Sequence, residues 1–151
     1  MHLAGEAATR ALGARLAQVL APGLVLYLRG DLGSGKTTLV RGLLRGLGYA
    51  GRVKSPTYTL VELYAVSRLN LYHFDFYRFQ DHKEWRDVGF DEYFNRASVC
   101  MVEWPERAAG TLPAADLDLE FEFAGSGRDL AICAGTESGR ACLSRMMQLP
   151  L

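Results

Sequence analysis

Residues 30 to 37 read Gly30-Asp31-Leu32-Gly33-Ser34-Gly35-Lys36-Thr37 and fit G-x-x-x-x-G-K-[ST], the phosphate-binding P-loop. Each residue type has a physical reason. Glycines let the backbone approach phosphate oxygens and take positive φ, so that successive N–H groups form an anion-binding nest. A helix starting at the end of the loop adds the positive end of its dipole. Lys36 would reach the β- and γ-phosphates, and the Thr37 hydroxyl would hold Mg²⁺. Asp31, Leu32 and Ser34 within the loop, and Thr38 just after it, complete the nucleotide-binding set.

Four fixed positions match by chance in roughly one in 200 chains of this length, so the flanking sequence decides. Leu24-Val25-Leu26-Tyr27-Leu28 precedes the loop as a short apolar run, the pattern of a buried strand. Leu39, Val40, Leu43, Leu44 and Leu47 follow with the one-sided spacing of an amphipathic helix, stopped at Gly48. Strand, glycine loop and helix is the arrangement the motif requires. A glycine-rich turn with an exposed lysine does not account for it.

The chain has 151 residues, the size of one domain with a full core. Seventeen basic and seventeen acidic side chains cancel, which excludes a strongly basic nucleic-acid binder by bulk charge. Cys100, Cys133 and Cys142 lie far apart with no C-x-x-C. That argues against a disulfide framework or a zinc site, fits a reducing cytosol, and leaves each as a small core or near-core residue. No apolar stretch approaches membrane-spanning length and no signal-peptide pattern leads the chain, so a cytoplasmic protein with no membrane partner is expected.

Glu6 to Leu20 reads as a helix with Ala8, Leu12, Leu16, Val19 and Leu20 on one face, ended by Pro22-Gly23. Thr9 on this helix is read either as a surface threonine or as a contact to the adenine. Gly51 to Thr57 is a polar connector in which Pro56 biases Ser55 to extended geometry. Tyr58 to Tyr64 and Leu69 to Phe76 are rich in β-formers, and a turn over Ser67-Arg68-Leu69-Asn70 makes them an antiparallel hairpin. Asp81 to Arg96 reads as one or two short helices broken at Gly89, its aromatic residues serving a core. Leu117, Leu119, Phe121 and Phe123 alternate as a half-buried strand. Ala124 to Gly127 turns, Asp129 to Ala134 returns, and Thr136 to Met147 closes as a helix with Leu143, Met146 and Met147 inward. Arg128 sits in the turn, as an exposed arginine or as a side chain reaching the nucleotide base.

Two strands end in acids. Asp75 closes the apolar run before Phe76-Tyr77-Arg78, as a Walker B acid does. His73, two residues earlier, reads as a packed or partly exposed histidine rather than a catalyst. Ser98 to Val102 runs into Glu103-Trp104-Pro105-Glu106, which puts Glu103 at a strand's carboxyl end, where ligands bind in open α/β sheets. Asp75 and Glu103 together point to a shared Mg²⁺ site, with either acid as ligand or as the group that orients water.

The whole set resembles the small bacterial P-loop ATPase family called TsaE or YjeE, which serves tRNA threonylcarbamoyladenosine synthesis. The resemblance rests on residues 30 to 38, on Lys54-Ser55-Pro56-Thr57-Tyr58-Thr59-Leu60-Val61, on His73 to Arg78 and on Glu103 to Glu106. It implies an α/β fold, a P-loop NTPase-like three-layer sandwich with a mixed parallel and antiparallel central sheet, as a single domain over 1–151. It implies Mg²⁺-dependent ATP hydrolysis. Carried over, Thr37 and Glu103 would be metal ligands, Asp75 a further metal or water-orienting group, and Thr57 part of a switch-like loop near the γ-phosphate. Trp104 would lie beside the active site, and Thr9 and Arg128 near the adenine. The family acts as an accessory that binds the TsaB–TsaD pair and resets it, with tRNA contacted indirectly. Little precedes Glu6, so a leading edge strand is expected to be missing or reduced. Trp85 stands where the family pattern has an aliphatic residue, a change bearing on a partner face.

The chemistry so implied is phosphoryl transfer to water, with Lys36, Thr37, Asp75, Glu103 and Thr57 carrying it. No arginine finger is evident; Arg78 is the nearest candidate, and slow intrinsic turnover follows. Two other classes stay open. A GTPase-like switch would need a base-reading N-K-x-D motif, which is absent. A small-molecule kinase would need an acceptor pocket and an arginine-bearing lid, for which Arg78 and Arg86 are too little.

Overall fold

The computed structural model describes residues 1–66 and 69–150. Its elements are β1 (His2–Leu3), α1 (Glu6–Ala17), β2 (Val25–Arg29), α2 (Lys36–Gly46), β3 (Val61–Val66), β4 (Leu69–Asp75) and α3 (Glu84–Asp87). Then come β5 (Ser98–Glu103), β6 (Leu117–Ala124), β7 (Gly127–Ala134) and α4 (Glu137–Gln148), with 3₁₀ turns at Phe90–Tyr93 and Pro105–Ala108. One seven-stranded sheet has the order β1-β7-β6-β2-β5-β4-β3. Its centre, β6-β2-β5-β4, is parallel, and antiparallel hairpins flank it on both sides. The P-loop strand β2 is therefore paired on both edges, and the acid-bearing strands β5 and β4 lie next to it in that order.

The sheet separates two cores of different chemistry. Leu26, Leu28, Leu71, Val99 and Met101 face α1, α2 and α4 in an aliphatic core. Phe74, Phe76, Cys100 and Val102 face Phe79, Trp85 and the 3₁₀ turn at Phe90–Tyr93 in an aromatic one. Period-2 alternation along β4 and β5 divides the side chains between them. It also places His73, Asp75 and Glu103 on the α2 side of the sheet, in phase with Leu71 and Met101.

Helices α1 and α2 meet backbone to backbone. A Cβ on Gly42 would lie 2.3 Å from the Arg10 carbonyl oxygen, and one on Gly13 would lie 2.4 Å from that of Leu39. Only glycine permits so close an approach. This contact sets α1 beside the start of α2.

Several expectations are corrected. Helix α1 ends at Ala17, before Val19 and Leu20. Tyr58 to Leu60 is turn rather than strand, because Leu60 takes φ 71° and its N–H bonds back to the Pro56 carbonyl. Strand β7 starts at Gly127, so Arg128 is a strand residue paired with Phe123. Met147 points outward, one helical step past the buried Cys142 and Met146. Cys133 is exposed, while Cys100 and Cys142 are buried, and all three thiols are free. Trp85 is buried with its Nε1 donating to the Thr111 hydroxyl at 2.8 Å, so it belongs to the aromatic core and presents no partner face. The leading edge strand is reduced, as expected, to the two residues of β1, paired with β7. Ser67 and Arg68, half of the expected turn, lie outside the described residues, and Leu69 and Asn70 are already strand. No helix of the described residues is long and apolar enough to cross a membrane.

Gly42→Ala adds a methyl that must push α1 away from α2. It is expected to destabilise by about 1–3 kcal/mol, the usual cost of overpacking. Thermal denaturation would read this as a drop of roughly 2–4 °C per kcal/mol.

Candidate functional site

The P-loop leaves β2 and turns into α2 over residues 30 to 35. Gly30 takes φ 143°, and a Cβ there would meet the Ser34 hydroxyl at 2.6 Å and the Phe121 carbonyl at 3.0 Å. Gly35, at φ 113°, stands at the N-cap of α2 and supplies no side chain to it. The first-turn N–H groups of α2 are thus left for an incoming anion. Lys36 is buried, its Nζ donating to the Gly30 carbonyl and lying 3.3 Å from Glu103 Oε1.

The end of β4 is fastened to that of β5. Asp75 and Glu103 are partners in the parallel register, and the Phe76 N–H donates to the Glu103 carbonyl at 3.1 Å. Both carboxylates are buried on the α2 side. Asp75 Oδ1 accepts the Tyr77 N–H at 2.9 Å. Glu103 has a contact at each oxygen: Oε1 lies 3.3 Å from Lys36 Nζ and Oε2 lies 2.7 Å from His73 Nε2. Burial alone would push both acids up. For Glu103 this is outweighed by His73 and Lys36, and its carboxyl lies below the usual range. For Asp75 burial wins over the Tyr77 N–H, the neighbouring Glu103 charge adds to it, and the carboxyl lies above the usual range.

Trp104 follows in the left-handed region, at φ 56° and ψ 51°. This is a strained conformation for a bulky residue. Its ring lies 5.3 Å from the Lys36 Nζ and 5.0 Å from the Tyr77 ring. Leu60, the other non-glycine residue with positive φ among the described residues, accepts the Asp75 N–H at its carbonyl. The two strained residues thus bracket the two acids. Glu106 lies on the opposite face, where Arg29 joins it to Asp118.

A cavity of about 550 Å³ opens above these groups, a volume suited to a small ligand. Leu32, Gly33, Gly35, Lys36, Thr37 and Thr38 line its floor. Asp75, Glu103 and Trp104 line one wall, Ser55 and Thr57 another, and Thr9 and Arg128 the far side. Three of the P-loop residues lie elsewhere. Gly30 and Asp31 line a separate groove beside Trp104, and Ser34 is buried beneath the loop with no partner for its hydroxyl among the described residues. Arg78 stacks over the Tyr58 ring at 4.6 Å and does not line the cavity.

Three features escaped sequence reading. Thr9 is buried, not a surface threonine, because the close α1–α2 contact turns it under. Arg128 grips the P-loop: its guanidinium donates to the carbonyls of Ser34 at 3.0 Å and Gly33 at 2.9 Å, over the face of Phe123. His73 is fully buried and is the partner of Glu103. Its place two residues before Asp75, on the same strand face, was the available signal.

The donor set suits Mg²⁺. Thr37 offers a hydroxyl and Asp75 and Glu103 offer carboxylates, all hard oxygen ligands. Two buried carboxyl groups side by side, with Lys36 against Glu103, also suit a cation. Among the described residues no three acidic, histidine or cysteine groups enclose a metal. A metal here would need phosphate oxygens as well, the usual manner of Mg²⁺ binding.

Asp75 is less acidic folded than unfolded. The stability of its protonated form is fully present below the unfolded pKa of about 4 and is lost as pH rises through the folded value. Asp75→Asn keeps the acceptor for Tyr77 and escapes that loss. It is expected to melt above the wild type at pH 7 to 8, with the difference closing toward pH 4.

A family model described as "Threonylcarbamoyl adenosine biosynthesis protein TsaE" matches residues 3–130. The chain is 46% identical to the Haemophilus influenzae tRNA threonylcarbamoyladenosine biosynthesis protein TsaE over 121 residues, covering 80% of this chain and 77% of that one. It is 44% identical to the Bacillus subtilis protein of the same name over 117 residues, covering 78% and 73%. The crystal structure of Bacillus subtilis YdiB superposes with a TM-score of 0.85 at 32% identity, over 98% of this chain and 93% of that one. The chain belongs to the TsaE family.

Proposed function

We propose that this protein is a Mg²⁺-dependent ATPase of tRNA threonylcarbamoyladenosine biosynthesis, an accessory that binds a TsaB–TsaD-type complex and resets it between turnovers. One observation carries the ATPase reading. Lys36, Thr37, Asp75 and Glu103 converge on one cavity at the uncapped N-terminus of α2. The pathway comes from the family and the names of its members.

Residue roles follow from position. Amides at the start of α2 bind the phosphates. Lys36 exchanges the Gly30 carbonyl and Glu103 for the β- and γ-phosphates, where it offsets charge developing in the transition state. Thr37, Glu103 and Asp75 would hold Mg²⁺, which when bound neutralises phosphate charge. Whichever of the two carboxylates is not a direct ligand, together with Thr57, orients the attacking water. Thr9 and Arg128 bound the far side of the cavity, where the base would lie.

A partner's entry is supported by the cavity mouth. Leu32, on the phosphate loop itself, is 89% exposed, and Tyr58, next to Thr57, is 79% exposed. Apolar side chains so placed suit a protein surface that closes the mouth and orders residues 54 to 58.

Mg²⁺-dependent ATP hydrolysis is expected to be slow for the protein alone and to rise with a TsaB–TsaD complex. Lys36→Ala should lower it at least about 10²-fold in both settings. GTP should compete poorly with ATP. Hydrolysis absent from every mixture, with nucleotide still bound, would leave a binding switch instead.

A further inference from the structure

His73 is an expensive residue for its position. It is fully buried on β4, and neither ring nitrogen makes a well-aligned hydrogen bond within the described residues. An apolar side chain would fill the same slot at no such cost. The contact it does make is specific: Nε2 lies 2.7 Å from Glu103 Oε2, which has no other partner among the described residues. The register explains the reach. His73 is opposite Met101 and Asp75 is opposite Glu103, so Glu103 leans back along the diagonal to His73.

Lys36 is the other group on Glu103, at Oε1. On the ATPase reading, on which this inference rests, Lys36 leaves for the phosphates when nucleotide binds. Glu103 then stays buried beside Asp75 with a single protein group on its carboxylate. We infer that His73 is the positioning residue for Glu103: it fixes Oε2 and thereby aims Oε1 at the cavity once Lys36 has gone. Outer partners that orient a ligating side chain commonly account for 10–100-fold in metal affinity.

The test uses Mn²⁺ in place of Mg²⁺ and reads its affinity for the protein–ADP complex by the electron paramagnetic resonance signal of free Mn²⁺, alongside thermal denaturation. His73→Leu is expected to bind Mn²⁺ about 10–100-fold more weakly while still folding cooperatively, as thermal denaturation reads. His73→Gln, whose amide nitrogen reaches the place of Nε2, should recover to within a few-fold. His73→Asn, whose amide nitrogen stands at the place of Nδ1, should not. Wild-type Mn²⁺ affinity in a folded His73→Leu protein would overturn the inference. Equal affinities in His73→Gln and His73→Asn would overturn it as well, and that comparison decides alone if the leucine variant does not fold. A wild-type protein that adds nothing to the Mn²⁺ affinity of ADP itself would instead sink the ATPase reading, and this inference with it.

Discussion

Two carboxylates side by side at the ends of neighbouring parallel strands constrain everything around them. Asp75 and Glu103 share one register position, one face and little water. Ionised and unpartnered, such a pair would separate or neutralise. Here the opposing groups are few and all local: Lys36 from the phosphate loop, His73 from the same strand as Asp75, and the Tyr77 N–H. The balance differs at the two sites. Glu103 is held as an anion by its contacts to His73 and Lys36, whereas burial leaves Asp75 with a carboxyl that resists ionisation.

That arrangement needs a rigid frame, and the sheet supplies it by keeping two unlike cores apart. The aliphatic side carries the helices that aim the phosphate loop, and glycine contacts let α1 sit directly on α2. The aromatic side locks the outer ends of β4 and β5, with the Phe74 ring 5.3 to 6.3 Å from five others, those of Tyr72, Phe76, Phe90, Tyr93 and Phe94. Strain is concentrated where these layers meet the cavity. Leu60 and Trp104 hold left-handed backbone next to Asp75 and Glu103, the placement in which backbone strain accompanies function.

What could be read in the sequence was local. The phosphate loop, its strand and helix, the two acids closing apolar runs and the break at Gly89 all depend on patterns within about ten residues, and they stand where the patterns put them. What could not be read depends on register and on close approach between distant segments. His73 meets Glu103 only because β4 pairs with β5 in one phase. Thr9 is buried because Gly13 and Gly42 draw two helices together. Arg128 looked like a turn residue because Gly127 suggested a turn. That glycine is instead the first pair of a strand lying hard against Leu3, where a Cβ would come within 2.4 Å of the Leu3 carbonyl. Met147 was misplaced by one helical step, a phase error that the burial of Cys142 and Met146 resolves.

The grip of Arg128 on the phosphate loop has a thermodynamic consequence. A planar guanidinium bonded to the carbonyls of Gly33 and Ser34 fixes the planes of the two peptides that follow them. Conformational freedom worth about 1–2 kcal/mol per residue is therefore surrendered when the chain folds, before any anion arrives. An anion bound there would meet a preorganised loop, and binding energy that would otherwise go into ordering it would remain as affinity.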